Sequence, residues 1–258
     1  MNKRASWALP YQLFLFFFVV LPMLLIVLYA FRDAAGHFTF GNFIKFATEK
    51  EAIGTFVYSI EIAIITTLLC LLLGYPAAYI LADTRLNPSS VTVILFILPM
   101  WINMLIRTLA TVALFDFLRF PLGEGALIFG MVYNFLPFMI YPIYNILRKM
   151  DSSYIQAAED LGAGPLQVFT HVTLPLSVPG ISSGVLMVFM PTISTFAVAE
   201  LLTMNKIKLF GTTIQENINN GMWNYGSALA LIMLVIIGLT MLLGDSDEAR
   251  DDEKGGLL

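Results

Sequence analysis

Charge is scarce in this chain. Asp, Glu, Lys and Arg make up 12% of its 258 residues, about half the share that a soluble domain uses to cover its water-facing surface. A water-soluble globular fold is excluded on that ground. The formal net charge of −4 leaves no basic footprint for nucleic acid. There is one cysteine, Cys70, inside an apolar run, so no internal disulfide can form. His37 and His171 stand far apart without cysteine partners, and no metal site is expected. No Gly-Lys dipeptide occurs, which removes the phosphate-binding loop G-x-x-x-x-G-K-S/T. An H-E-x-x-H zinc helix is missing too. The chain is therefore not read as an enzyme, and no catalytic residue and no cofactor of its own are assigned.

What is present is long apolar sequence. Hydrophobic residues make up 58% of the chain, and mean hydropathy is +0.81. A helix needs about 20 mostly apolar residues to cross the hydrocarbon core. Six segments reach that length: Tyr11–Phe31, Thr55–Ala82, Val91–Phe115, Ala126–Leu147, Pro179–Leu202 and Asn224–Leu243. The first is longer than a signal-peptide apolar core and is expected to remain as a span. The fold class is thus all-α and polytopic, with one membrane domain over 1–244 and both termini on the same side. Lys3, Arg4, Arg148 and Lys149 favour a cytoplasmic N-terminus under the positive-inside rule. Proline inside spans (Pro22, Pro76, Pro99, Pro137, Pro191) is tolerated where neighbouring helices satisfy the freed carbonyls. The tail over 245–258 is acidic and rich in small residues, and is expected to be disordered.

Between the fourth and fifth spans, residues 148–178 are out of character with the rest. The stretch SSYIQAAEDLGAGPLQVFTHVTLPLSVPG, Ser152 to Gly180, is polar and rich in Gly and Pro. Ser153 with Gln156 three residues on reads as a capping box, opening a helix over Tyr154–Leu161. Gly162 is placed to end that helix in the left-handed conformation. Pro165 suits the first turn of a second helix, with Leu166, Phe169 and Val172 or Thr173 on one stripe. Pro175 is expected to stop it. Ala157 and Ala158 give the first helix a small face that another surface can approach closely.

QAAEDLGA followed by VTLPLSVPGI resembles the EAA loop in permease subunits of type I ABC importers. The matching residues are Ala157, Ala158, Gly162, Leu174, Pro175, Pro179 and Gly180; Gln156 stands where the family usually has Glu. Glu159 or Asp160 could replace any ion pair that a Glu would make. The resemblance implies that Gln156, Ala157, Ala158, Glu159, Asp160, Gly162 and Ala163 couple the chain to a cytoplasmic ABC ATPase dimer, which holds the ATP and Mg. It further implies a cytoplasmic loop, both termini cytoplasmic, a second permease subunit (a paralogue), an external binding protein and a place in a bacterial cell membrane. The alternative for the loop is an ordinary helical hairpin.

Ionisable residues inside spans are costly, and each is a functional candidate. Glu61, Arg107 and Glu200 qualify. Tyr58 shares a face with Glu61, and Phe196 with Glu200; a carboxylate beside an aromatic ring suits an organic ammonium. Tyr133, Pro137, Tyr141 and Tyr144 form a further stripe at helical spacing. LPMWINMLIRTLA and MPTISTFAVAELL are similar to permeases of the spermidine/putrescine branch, which implies a polyamine substrate passing Glu200, Phe196, Glu61, Tyr58, Tyr133 and Tyr141. Other readings stand beside this one. Arg107 could form a structural ion pair with Glu61, Glu200 could be interfacial, and the tyrosines could be packing. The solute could be an anion such as sulfate or molybdate, or the chain could be a membrane scaffold.

Overall fold

The computed structural model describes the backbone of residues 10–83, 87 and 90–255, and side chains as far as 241. Lys3, Arg4 and Arg85 lie outside the described residues. Among the described residues the structure is helical apart from loops and one isolated antiparallel bridge, Arg32 to Phe38.

The helices follow in order. Helix α1 is Pro10–Ala30. A short α2, Gly41–Thr48, leads to α3, Lys50–Ala82. Then come α4, Ser90–Ile97, and α5, Met104–Phe117, followed by α6, Glu124–Lys149. Helix α7 is Ser152–Asp160, and α8 is Pro165–Ser194. The chain ends through α9, Ala197–Thr203, α10, Phe210–Asn219, and α11, Trp223–Gly255. At 1.5 Å per residue the 33 residues of α3 make a rod of about 50 Å.

Helix α6 is the hub, packed against α3, α8 and α9. Glycine makes the close crossings possible. Gly180 and Gly184 form a G-x-x-x-G pair whose missing side chains admit α6. A Cβ on Gly180 would lie 3.1 Å from the Pro142 carbonyl oxygen, and one on Gly184 would lie 2.8 Å from Met139 Sδ. Small residues let helix backbones approach in a membrane, where apolar burial supplies no driving force between helices. On α3, Ser59, Ile62, Ala63, Thr66, Cys70, Gly74, Ala78 and Leu81 form the buried stripe. Its opposite stripe, Val57, Glu61, Ile64, Leu68 and Leu72, is exposed.

Among the described residues, five helices are long and apolar enough to cross a membrane without a break. The third expected span is not one of them. Val91–Trp101 and Met104–Phe117 meet at 96°, so the apolar run over Val91–Phe115 folds as a bent pair. Pro99 sits in the 3-10 turn Leu98–Trp101, and Asn103 caps α5 by accepting from the Leu105 N–H at 2.8 Å. A proline and an N-cap inside one hydrophobic run give the chain a stop and a fresh start.

The fifth span also differs from expectation. It begins earlier, at Pro165, and breaks at Thr195–Phe196, leaving Glu200 on the separate α9. The break meets the start of α10, where a Cβ on Gly211 would lie 2.6 Å from the Ser194 carbonyl oxygen. Pro175 does not stop α8. Helix α8 widens to a π turn over Phe169–Thr173, the Leu174 N–H bonding to the Phe169 carbonyl. That turn absorbs the proline, which lacks an N–H and crowds the carbonyl four residues back. Helix α1 shows the same device: a π turn over Phe16–Val20 followed by Leu21–Pro22.

The acidic tail, expected to be disordered, continues α11 as far as Gly255. Extending an existing helix avoids the cost of nucleation, and Glu248, Ala249, Arg250, Glu253 and Lys254 are good helix formers.

Candidate functional site: the elbow loop and the far mouth

The loop between α6 and α8 is a stiff elbow. Helix α7 starts at Ser152, two residues before the expected Tyr154, because Asp151 is its cap. The Asp151 carboxylate accepts the Ser153 N–H at 2.9 Å. The same hydrogen bond holds the Asp151 carboxyl below the usual carboxylate range. The capping box expected from Ser153 and Gln156 is therefore absent; an aspartate caps well and its charge also suits the positive end of the helix.

The end of α7 follows expectation. Gly162 has φ +86°, its N–H bonds to the Glu159 carbonyl at 2.9 Å, and the Ala163 N–H bonds to the Ala158 carbonyl at 3.0 Å. These two bonds are the complete Schellman closure. Pro165 then opens α8 at its first turn, and Gln167 Oε1 accepts the Gly164 N–H at 2.9 Å. The expected stripe is altered, since Leu166 is exposed while Val168 and Thr173 are buried and Phe169 is half-buried. The π turn shifts the register that a 3.6-residue period would impose.

The elbow encloses an open concavity of about 410 Å³ lined by Ala158, Leu161, Gly162, Ala163, Gln167, His171 and Val172. Gln156, Ala157, Glu159 and Asp160 are exposed on α7, and Leu161 is 89% exposed. A rigid polar elbow carrying bare Leu161, Leu166 and Tyr154 has the composition of a surface that a partner covers.

At the opposite end of the bundle, Tyr58 on α3 lies near Glu124 in the first turn of α6 and near Glu61 on its own helix. Glu124 falls just outside the apolar run that marked the fourth span, and reading only the run passes over it. Phe196 is the N-cap of α9, and the Glu200 N–H bonds to its carbonyl at 3.0 Å. Phe196 is exposed and Glu200 half-buried. The tyrosine stripe splits: Tyr133 and Tyr141 are exposed, Pro137 is buried, and Tyr144 packs on the core.

Arg107 does not pair with Glu61. Its guanidinium is buried, donates to the Asn134 carbonyl at 3.3 Å and lies 5.9 Å over the Tyr133 ring. Among the described residues no carboxylate lies within ion-pair distance of it. Arg107 ties α5 to α6 through the Asn134 carbonyl, and its Nε has no hydrogen-bond partner. Nor do three His, Cys, Asp or Glu side chains converge anywhere among the described residues.

Comparison with known proteins now gives this geometry a family. The chain is 34% identical over 250 residues to the Escherichia coli spermidine/putrescine transport system permease protein PotB, covering 88% of this chain and 90% of that protein. The Haemophilus influenzae protein of the same name is 33% identical over 252 residues, covering 89% and 88%. The fold is similar to that of a chain in the crystal structure of a bacterial ABC transporter involved in the import of the acidic polysaccharide alginate. There the TM-score is 0.69 at 17% identity, with 95% of this chain and 94% of that chain covered. Residues 71–246, which take in the bent third span, the elbow and the broken fifth span, match the family described as binding-protein-dependent transport system inner membrane component. The chain belongs to that family.

Proposed function

We propose that this chain is the membrane-spanning permease subunit of an ATP-driven polyamine importer, and that its elbow loop seats a separate ATPase. The observation that carries the reading is the elbow itself. A doubly capped helical turn projects from the bundle, its second arm continues from Pro165 as the unbroken α8, and Leu161 and Tyr154 are left bare. A chain without a phosphate-binding loop must take its energy from a partner, and a stiff lever is what such a partner can push. On this reading the elbow and both termini are cytoplasmic, and the ATPase dimer supplies ATP and Mg. An external binding protein delivers the solute, in keeping with the family description. A second permease subunit covers the exposed α3 stripe, because a face bearing Glu61 is a poor lipid surface.

Polyamine as cargo rests on the similarity to PotB and on the chemistry of the far mouth. Glu61 and Glu124 lie near the Tyr58 hydroxyl, and Glu200 adds a third carboxylate on α9, four residues after Phe196. Carboxylates spaced along a path, each with an aromatic neighbour, suit a flexible chain of ammonium groups. An anionic cargo has less to draw it, because Arg107 is buried against Tyr133 and offers no exposed charge, although its Nε has no hydrogen-bond partner. Transport proceeds by alternating access. ATP-driven closure of the ATPases moves the elbow, the bundle opens to the binding protein, and hydrolysis returns it to the inward-facing state.

Reconstitution in liposomes with ATPase, partner permease and binding protein tests the reading. Spermidine or putrescine should raise ATP turnover and accumulate inside the compartment that holds the ATPase. Stimulation by sulfate or molybdate instead, or no association with any ATPase, would overturn it.

A further inference from the structure

The elbow touches α3 through an aromatic contact. Phe169 opens the π turn of α8 and lies edge-on to two rings of α3. Its centroid is 5.8 Å from Tyr75 and 5.9 Å from Tyr79, with the planes at 83° in both cases. Tyr75 and Tyr79 are four residues apart and so share a face; edge-to-face packing at this spacing is the favoured geometry for aromatic rings. Tyr75 also reaches past the π turn. Its hydroxyl lies 2.9 Å from Ser177 Oγ, and Ser177 donates its own proton to the Leu174 carbonyl at 2.8 Å. Tyr75 is therefore the donor of a hydrogen bond in which both partners are buried. One residue of α3 thus holds both sides of the π turn.

Pro76 sits inside this grip, between Tyr75 and Tyr79. It removes the hydrogen bond to the Leu72 carbonyl, so α3 is most easily bent at the turn that Phe169 holds. Fourteen residues before Tyr75 on the same rod, about 21 Å away, is Glu61.

We propose that Phe169 is a positioning residue which transfers displacement of the elbow to α3 at Pro76. The second span, and not the fifth alone, then carries the stroke to the far mouth. The inference rests on the elbow being the ATPase seat. Gly162, Ala163 and Gln167 make the elbow rigid, and α8 leaves it unbroken. Its π turn lacks ordinary i to i+4 bonding, so the aromatic grip meets the load before the upper part of α8 does.

The test uses the complete transporter in liposomes and reads spermidine moved per ATP hydrolysed. Phe169→Ala should still co-purify with the ATPase and still hydrolyse ATP in response to the loaded binding protein. Transport per ATP should fall about fivefold or more, the scale of a typical coupling free energy. Phe169→Tyr, which keeps the ring, should restore the ratio. An unchanged ratio in Phe169→Ala would overturn the proposal; so would loss of ATPase association, which would make Phe169 part of the seat. If Phe169→Ala fails to assemble, Tyr79→Ala carries the same expectation and leaves the Tyr75–Ser177 bond intact. A wild-type chain that binds no ATPase would instead refute the seat itself, and the grip with it.

Discussion

Gly162 is the residue on which the elbow's shape turns. At φ +86° with nothing within 4 Å of a Cβ, it is required by backbone conformation and not by crowding. A side chain in the left-handed region costs about 1–2 kcal/mol, and a β-branched one is the least suited to it. Gly162→Val should leave the protein inserted at normal levels while uptake is lost. Normal uptake by that variant would remove Gly162 from transmission. At the other end of α7, the Asp151 cap titrates in a known direction. Its folded carboxyl is depressed by the Ser153 N–H, so what it contributes is fully present above the ordinary carboxylate range. That contribution disappears only as pH falls through the lowered value. Across physiological pH the cap should therefore be constant. Asp151→Asn should preserve it, and Asp151→Ala should speed hydrogen exchange at Ser153. Gly162 and Pro165 could be read from sequence because each answers a local backbone rule. Asp151 could not, since Asp151 and Ser153 are both good caps and only the fold decides which amide is first. Glu124 was hidden for another reason: it stands just ahead of the apolar run that drew attention to its helix.

At the level of elements, hydropathy finds the apolar runs and says nothing of where they bend. The third and fifth spans show why. In the third, the stop and restart at Pro99 and Asn103 lie within continuous hydrophobic sequence. In the fifth, the break at Thr195 is met by Gly211, sixteen residues further on, where α10 begins against the Ser194 and Thr195 carbonyls. No local rule could have placed it. The two π turns were likewise invisible to a reading that assumes 3.6 residues per turn, although each ends in Leu-Pro after five residues. The Gly211 contact is open to direct measurement. A methyl group there must displace backbone, so Gly211→Ala should destabilise the protein by about 1–3 kcal/mol. Gly238, inside α11 with nothing within 4 Å of a Cβ, is the control: Gly238→Ala should be neutral or stabilising. Thermal unfolding in detergent compares the two, and equal midpoints would show that the α8–α10 contact yields.

For the whole molecule, the organising fact is unequal attachment. Helices α3, α6 and α8 are bound tightly at Gly74, Gly180 and Gly184, whereas α1 packs mainly on α11. Helix α1 is held at its far end by Asn42 and Asn224, which donate to the carbonyls of Ala30, Arg32 and Asp33. The membrane setting was legible in composition, because 12% charge cannot clothe a soluble surface, and the all-α class in the length of the apolar runs. Which helices move together was not, since that depends on which faces lack side chains. One dimension has a consequence for the surrounding lipid. Helix α3 is about 50 Å long and the hydrocarbon layer about 30 Å thick, so the rod must lean or stand proud of the bilayer. A leaning rod straightens as acyl chains lengthen, and this one meets the ring of Phe169 at Tyr75 and Tyr79, on either side of Pro76. Membrane thickness is therefore expected to bear on coupling. Solute moved per ATP should vary when vesicles of short-chain and long-chain phosphatidylcholine are compared, and a flat response would show that the lean of α3 is idle.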